Sequence, residues 1–342
     1  MRKILLFFLD KLGFNALFRF LNRHKVLVLA YHGICEEDFT LLKGYDERHI
    51  PVSSFRTQID FLKRKGYKFA RVTDLLAEIA TKKKADRLAV LTFDDGFNNV
   101  VKNAYPILKE FDACGTFYLV SGLISKNDLL WTDYVETVIR QHNDTMFEFF
   151  YENELIQYDI ESPEKRNQAM LDIKKKLKSC ANYKRKEYLK QFQTNEVKKP
   201  EEFLFATWSK IENLDRQVLE IGGHTMTHPI CTNLDIETEF ETELGQSKKD
   251  IEARIGYSLE HFCYPGGAFN NAIIDKLKQL GYKSGASSIV ELHRHEQDIW
   301  AIRRIFADPD FLLFKSQICG SFFFLSKCKS LFQGLLKSIN RV

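Results

Sequence analysis

Two rhythms alternate along this chain. Short runs in which nearly every residue is apolar or β-branched recur at 26–31, 88–93, 115–120, 218–223, 261–264, 283–286 and 300–306. Runs of that length and composition predict strands buried on both faces. Between them, apolar residues fall at three- and four-residue spacing, which predicts helices. Such segments follow Ser53 and Ser54 through Phe55, Ile59 and Leu62 to Gly66, and run at 74–82, 99–111, 208–216, 236–255 and 272–280. Pro106 is expected to kink or restart its helix. No hairpin signal is seen, so strands alternating with helices predict parallel pairing through helical crossovers. Seven such strands suit an α/β fold built as a distorted, partly closed β/α barrel.

Three stretches depart from this rhythm. Residues 140–205 are dominated by Lys, Glu, Gln and Asn, with helical spacing from about Glu164 to Phe192. They read as a helical insertion, a solvated outer layer with no constellation for chemistry. Residues 1–25 carry Leu5, Phe8, Leu9, Leu12, Phe18 and Phe20 among Arg2, Lys3, Lys11, Arg19 and Arg23, the pattern of one basic amphipathic helix. The tail, 311–342, has the same chemistry: Phe322, Phe323, Phe324, Leu331 and Phe332 alternate with Lys327, Lys329 and Lys337. Neither end is long enough to span a bilayer. Each either packs on the barrel or lies on a membrane surface. Asp10 and Lys11 cut the first apolar run short of a secretion signal, so the expected location is cytoplasmic, with peripheral contact at the inner membrane face left open.

Composition narrows the classes. Across 342 residues, 44% are apolar and 28% charged, which suits an enzyme-sized core. A net charge of +4, with no arginine stripe among aromatics, argues against a nucleic-acid partner. The seven cysteines are scattered and never spaced Cys-x-x-Cys, as expected of reduced thiols rather than a closed zinc site.

Candidate chemistry gathers at strand ends. Asp94-Asp95-Gly96 closes the 88–93 strand, throwing two carboxylates into one loop while the glycine turns the backbone. Like charges so close need a cation or a shared proton. His224 and His228 follow the 218–223 strand; on one helical turn, residues four apart share a face and reach one ion. Two histidines and a carboxylate leave a coordination position open, the pattern of a catalytic zinc site.

Three ordered segments carry a resemblance: Thr92-Phe93-Asp94-Asp95-Gly96, His224-Thr225-x-x-His228-Pro229 and Phe262-Cys263-Tyr264-Pro265-Gly266-Gly267. They resemble the successive motifs of the polysaccharide deacetylases, the NodB-homology carbohydrate esterases of family four. Ala30-Tyr31-His32, Trp131-x-Asp133 and Arg303-Arg304-Ile305 look like its biofilm and surface-glycan branch. The resemblance covers roughly residues 26–310 and implies a NodB-type barrel that removes N-acetyl groups from an N-acetylated glycan or lipid-linked saccharide. It implies Asp94 as general base and Asp95, His224 and His228 as ligands of one divalent metal ion, with zinc expected. Tyr264, Pro265, Gly266, Trp131 and Asp133 would contact substrate, a backbone N–H of the Pro265 turn serving the oxyanion. Where many members carry an arginine that steadies the base, this chain has Cys263, so Arg304 is expected to do that work. Leu292-His293-Arg294-His295 has the letters of the family's general-acid motif but precedes the last strand; His32 is the preferred extra imidazole. Removal of an O-acetyl or N-formyl group would use the same machinery, and a glycan-binding pseudoenzyme should have lost a ligand or the base.

Overall fold

Strands β1 (Leu27–Tyr31) and β5 (Leu88–Phe93) are buried at every position, as runs without alternation demand. The computed structural model describes residues 2–36, 48–81, 86–192 and 197–325. Between β1 and β5 come β2 (Gly33–Cys35), β3 (His49–Pro51) and β4 (Lys68–Ala70); beyond them lie β6 (Gly115–Leu119), β7 (Met146–Tyr151), β8 (Glu154–Asp159), β9 (Leu219–Gly223), β10 (His261–Cys263), β11 (Ser284–Ala286) and β12 (Ile305–Phe306). The main sheet runs β11-β10-β9-β6-β5-β1-β12, every pair parallel. β4 shares an edge of β5 with β6, pairing with its first three residues while β6 takes the last three. The sheet curls into a half-barrel whose edges meet at one bridge, Ala286 to Ile302. There Ile302 N–H donates to Gly285 O at 2.9 Å, and Ser287 N–H donates to Ile302 O at 2.9 Å.

Helices α1 (Arg2–Lys11) and α2 (Phe14–Leu21) precede this sheet. The crossover helices include α3 (Val52–Arg64), α4 (Val72–Ala80) and α5 (Tyr105–Glu110) in the first half. α6 (Trp131–Gln141), α7 (Pro163–Ser179), α8 (Asn182–Leu189), α9 (Trp208–Glu212), α10 (Ser247–Ile255), α11 (Asn271–Gln279) and α12 (Phe311–Cys319) follow. α3 illustrates how they attach: Phe55, Ile59 and Leu62 are fully buried and join a core that includes Leu29, Leu91, Phe93 and Phe117. Burying a side chain of this size contributes on the order of 1.5–3 kcal/mol.

The insertion is not wholly helical. β7 and β8 form an antiparallel hairpin whose turn, Glu152-Asn153, takes φ of 50° and 69°. Two left-handed central residues make the turn that matches strand twist, and Glu-Asn is an uncommon filling for it. Phe147 and Phe149 face inward from this hairpin and close a second core with Val135, Ile139, Ile173 and Phe192. Just beyond β1, β2 and β3 pair in parallel.

Two expected helices begin with widened turns. Val100–Ala104 is π-helical before α5, where Pro106 offers no N–H to a regular ladder. Glu241–Gln246 is π-helical before α10, and the Glu243 carbonyl accepts from Met226 N at 3.1 Å. The last strand is shorter than expected, because 299–301 forms a 3-10 turn.

The amino-terminal segment is two helices, broken at Gly13 with φ of 80°. Both pack on α12: Asp10 pairs with Lys315, and Asn22 Nδ2 donates to Cys319 O at 2.8 Å. Residues 321–325 add another helical turn. Leu331, Phe332, Lys327, Lys329 and Lys337 lie outside the described residues.

Candidate active site

At the carboxyl end of β5 the two acidic residues part company. Asp95 takes φ of 77° and Gly96 φ of 97°. For Asp95 this left-handed conformation is strained, and it is one an aspartate tolerates better than most residues. Asp94 thereby faces β10 and the segment before β12, while Asp95 faces the loop after β9.

Asp94 is forked by Arg304. Nη1 donates to Oδ1 at 2.7 Å and Nη2 to Oδ2 at 2.9 Å. Arg304 is itself buried and located by Ser287 O at 2.9 Å and Thr92 Oγ1 at 3.1 Å. Burial pushes the Asp94 carboxyl up, but the guanidinium charge and its hydrogen bonds hold it below the usual carboxylate range. Cys263 sits against this pair, its Sγ 3.2 Å from Arg304 Nη2.

Asp95 Oδ1 lies 3.4 Å from His224 Nε2 and 3.4 Å from His228 Nε2. A tetrahedral ion with bonds of about 2.1 Å has ligand–ligand edges of about 3.4 Å. The donor set therefore fits a divalent cation of the zinc class. His224 Nδ1–H donates to Cys263 O at 2.7 Å, which leaves Nε2 as the atom that could ligate an ion. Burial pushes His228 down to about 3, so at neutral pH its imidazole is uncharged. Asp94, His224 and Cys263 also cluster closely enough to hold an ion. That alternative is weaker, since both Asp94 oxygens are engaged by Arg304 and His224 Nδ1 by a carbonyl.

The histidine pair is not on a helical turn. Thr225 and His228 have φ of 67° and 59°, so the loop is irregular. Its shape comes from hydrogen bonds: Thr225 Oγ1 accepts from His228 N at 3.0 Å, and Thr227 donates twice to the buried Glu243 carboxylate, at 2.9 and 2.6 Å. The imidazoles converge all the same, with ring centroids 4.9 Å apart.

Other expected residues line the same region. His32 stacks on Phe306 at 6.2 Å, and burial pushes its imidazole below the usual value against the pull of Asp95 and Asp94. Trp131 Nε1 donates to His228 O at 2.9 Å. Asp133 is buried, which pushes its carboxyl up to about 6, although it pairs with Arg48. Tyr264 points away, its hydroxyl donating to Trp300 O at 3.0 Å. In the Pro265 turn, Gly267 N–H donates to Tyr264 O and Tyr264 N–H to Ala286 O, which leaves Gly266, at φ of 64°, as the remaining N–H donor. His293 is far from these groups: its backbone pairs with Val26 at the amino end of β1.

Three contributors have no signal in the sequence pattern. Arg48 Nη1 donates to Asp95 Oδ2 at 3.1 Å while also pairing with Asp133, so one guanidinium ties the outer oxygen of Asp95 to the start of α6. Arg185, from the insertion, donates to His228 O at 3.0 Å and lies 4.9 Å over the Trp131 ring. Glu243 braces the histidine loop. Arg185 ties the insertion, read as a solvated layer without a constellation for chemistry, to the histidine loop.

The profile of the polysaccharide deacetylase family matches residues 81–285. Bacillus subtilis YxkH, whose name places it with these deacetylases, is 22% identical over 286 residues, covering 83% of this chain and 72% of that one. The Staphylococcus aureus poly-β-1,6-N-acetyl-D-glucosamine N-deacetylase is 23% identical over 160 residues, 44% of this chain and 54% of that one. Among solved structures, Streptococcus pyogenes deacetylase PplD in complex with acetate shares the fold at a TM-score of 0.58 and 17% identity, covering 86% of this chain and 98% of that one. Ammonifex degensii IcaB does so at 0.56 and 15%, covering 86% and 97%. With the family profile spanning more than half its length, this chain belongs to the polysaccharide deacetylase family.

Proposed function

We propose that this chain is a metal-dependent N-deacetylase that hydrolyses the acetamide of an amino sugar in an N-acetylated glycan, free or carried on a lipid. One observation carries the reading: a forked carboxylate, Asp94, stands beside a two-histidine, one-carboxylate set at tetrahedral spacing. Asp95, His224 and His228 would hold a divalent ion, zinc in this proposal, which would supply Lewis acidity toward an acyl oxygen and a bound water. Asp94 accepts the proton of the attacking water, its oxygens aimed by Arg304. Gly266 N–H is the backbone donor for the tetrahedral oxyanion. Asp94 then passes that proton to the departing amine, and His32, Trp131 and Asp133 shape the wall of the site on which the sugar rests. The named activity of the S. aureus relative makes a β-1,6-linked N-acetylglucosamine polymer the first substrate to assay.

The test is incubation of the zinc-loaded protein with a panel of N-acetylated and O-acetylated glycans, with released acetate and new amines both measured. Acetate and amine in equal amounts are expected. Acetate without amine, from O-acetylated members alone, would replace this reading with that of an esterase.

A further inference from the structure

We propose that the α1–α2 hairpin is a docking surface for an anionic lipid bilayer, into whose interface it inserts its outer apolar face. Of sixteen exposed large apolar side chains among the described residues, seven lie within residues 4–21. Phe7, Phe8, Leu12, Leu17, Phe20 and Leu21 are each about half exposed or more, and Leu12 is 82% exposed. A contiguous helix is not needed for this. The break at Gly13 lets two short helices pack against each other and against α12, burying Leu6 and Asn15 while the larger apolar groups stay in water. Such concentration on one small element marks an interaction site rather than ordinary surface.

Charge identifies the occupant. Residues 2–25 hold six lysines and arginines and one acidic residue, Asp10. That single carboxylate is turned inward: it pairs with Lys315 and accepts from Asn15 Nδ2 at 2.9 Å. Lys11 and Arg23 instead border the apolar face. Lys11 Nζ lies 5.6 Å from the Phe7 ring centroid, and the Arg23 guanidinium lies 4.3 Å from that of Phe20. Aromatic and aliphatic side chains edged by cations, with the helices' own carboxylate turned inward and the exposed Asp86 3.8 Å from Arg23, match the boundary between acyl chains and anionic headgroups. Among the described residues no helix is long and apolar enough to cross a bilayer, so the surface lies on the membrane rather than through it. α2 leads into the amino end of β1, and the candidate site is at the carboxyl end of the same sheet, so docking leaves the site open to glycan in the aqueous phase.

The test uses the full chain with Leu12→Trp as a reporter, its emission taken as the difference from the parent protein. The protein is mixed with vesicles of one part phosphatidylglycerol to three parts phosphatidylcholine, and with phosphatidylcholine vesicles alone. Expected are sedimentation with the anionic vesicles at low salt, at least tenfold weaker partitioning onto the neutral ones, and a blue shift of the introduced indole, quenched by brominated acyl chains. A triple variant, Phe8→Ser/Leu12→Ser/Phe20→Ser, should partition at least tenfold less while its thermal midpoint and acetate release from a soluble glycan stay as in the parent. Three results overturn the proposal: no binding of the full chain, binding that the triple variant leaves intact, or a reporter already blue-shifted without lipid, which would mean that another protein segment or a second copy covers the face.

Discussion

Asp94 and Asp95 are neighbours in sequence to which the proposed mechanism gives opposite duties, and substitutions should separate them. Asp94→Asn keeps the shape of the base and removes its basicity. Elemental analysis is expected to show metal at parent stoichiometry, with turnover down roughly a hundred- to ten-thousand-fold. Asp95→Ala, His224→Ala and His228→Ala should each lose metal and activity together; full metal content in all three would refute the ligand set. Arg304→Gln tests the fork. It strands a buried carboxylate without its cation, which typically costs about 3–5 kcal/mol. The double variant Asp94→Asn/Arg304→Gln should recover much of that in a urea titration, because the stranded charge is gone. At this scale the sequence was legible where chemistry is written as motif: Asp94, Asp95, His224 and His228 come together in space, and Arg304 forks Asp94 beside Cys263. Arg48 and Arg185 were not legible, because a long flexible side chain reaching in from outside the barrel strands leaves no periodic trace.

Among the elements, the seven runs of continuous apolar residues became the seven strands of the main sheet path, since full burial on both faces is a property of composition alone. What escaped was held by tertiary contacts. The β7–β8 hairpin is apolar at five of the six β7 positions, with Phe147 and Phe149 in the second core, but it lies among the polar residues of the insertion, whose composition masks it. Its turn offers a test. Glu152→Asn/Asn153→Gly places the favoured pair at two left-handed positions and should stabilise the protein by about 0.5–1 kcal/mol. The urea midpoint should rise with no change in metal content; a fall would show that the native turn makes contacts worth more than its backbone strain. The histidine loop is the opposite case. A helical spacing of i and i+4 put the right residues together for the wrong reason, since the loop is shaped by Thr225 and Glu243.

For the whole molecule, pH should act through buried histidines that are not in the proposed ligand set. Burial pushes His49 down to about 3 and His293 down to about 4. Both are therefore neutral in the folded protein and bind protons on unfolding below about pH 6.5. A depressed folded value contributes stability that is present above 6.5 and lost as pH falls toward 4, by up to about 1.4 kcal/mol per pH unit for each histidine. Thermal midpoints measured from pH 7.5 to 4.5 should decline along that window, and His293→Gln should flatten the slope. The half-barrel itself has one further consequence. Its edges meet at Ile302, two residues before Arg304, and Ser287, whose N–H reaches Ile302 O, also locates the Arg304 guanidinium, so opening of that seam should loosen the Asp94–Arg304 pair. If the ring breathes there, the guanidinium leaves the carboxylate before any strand elsewhere unpairs. Amide hydrogen exchange at Ile302 and Arg304 would then count the fraction of molecules with an armed base, and mild denaturant would silence the enzyme while its fold still stands.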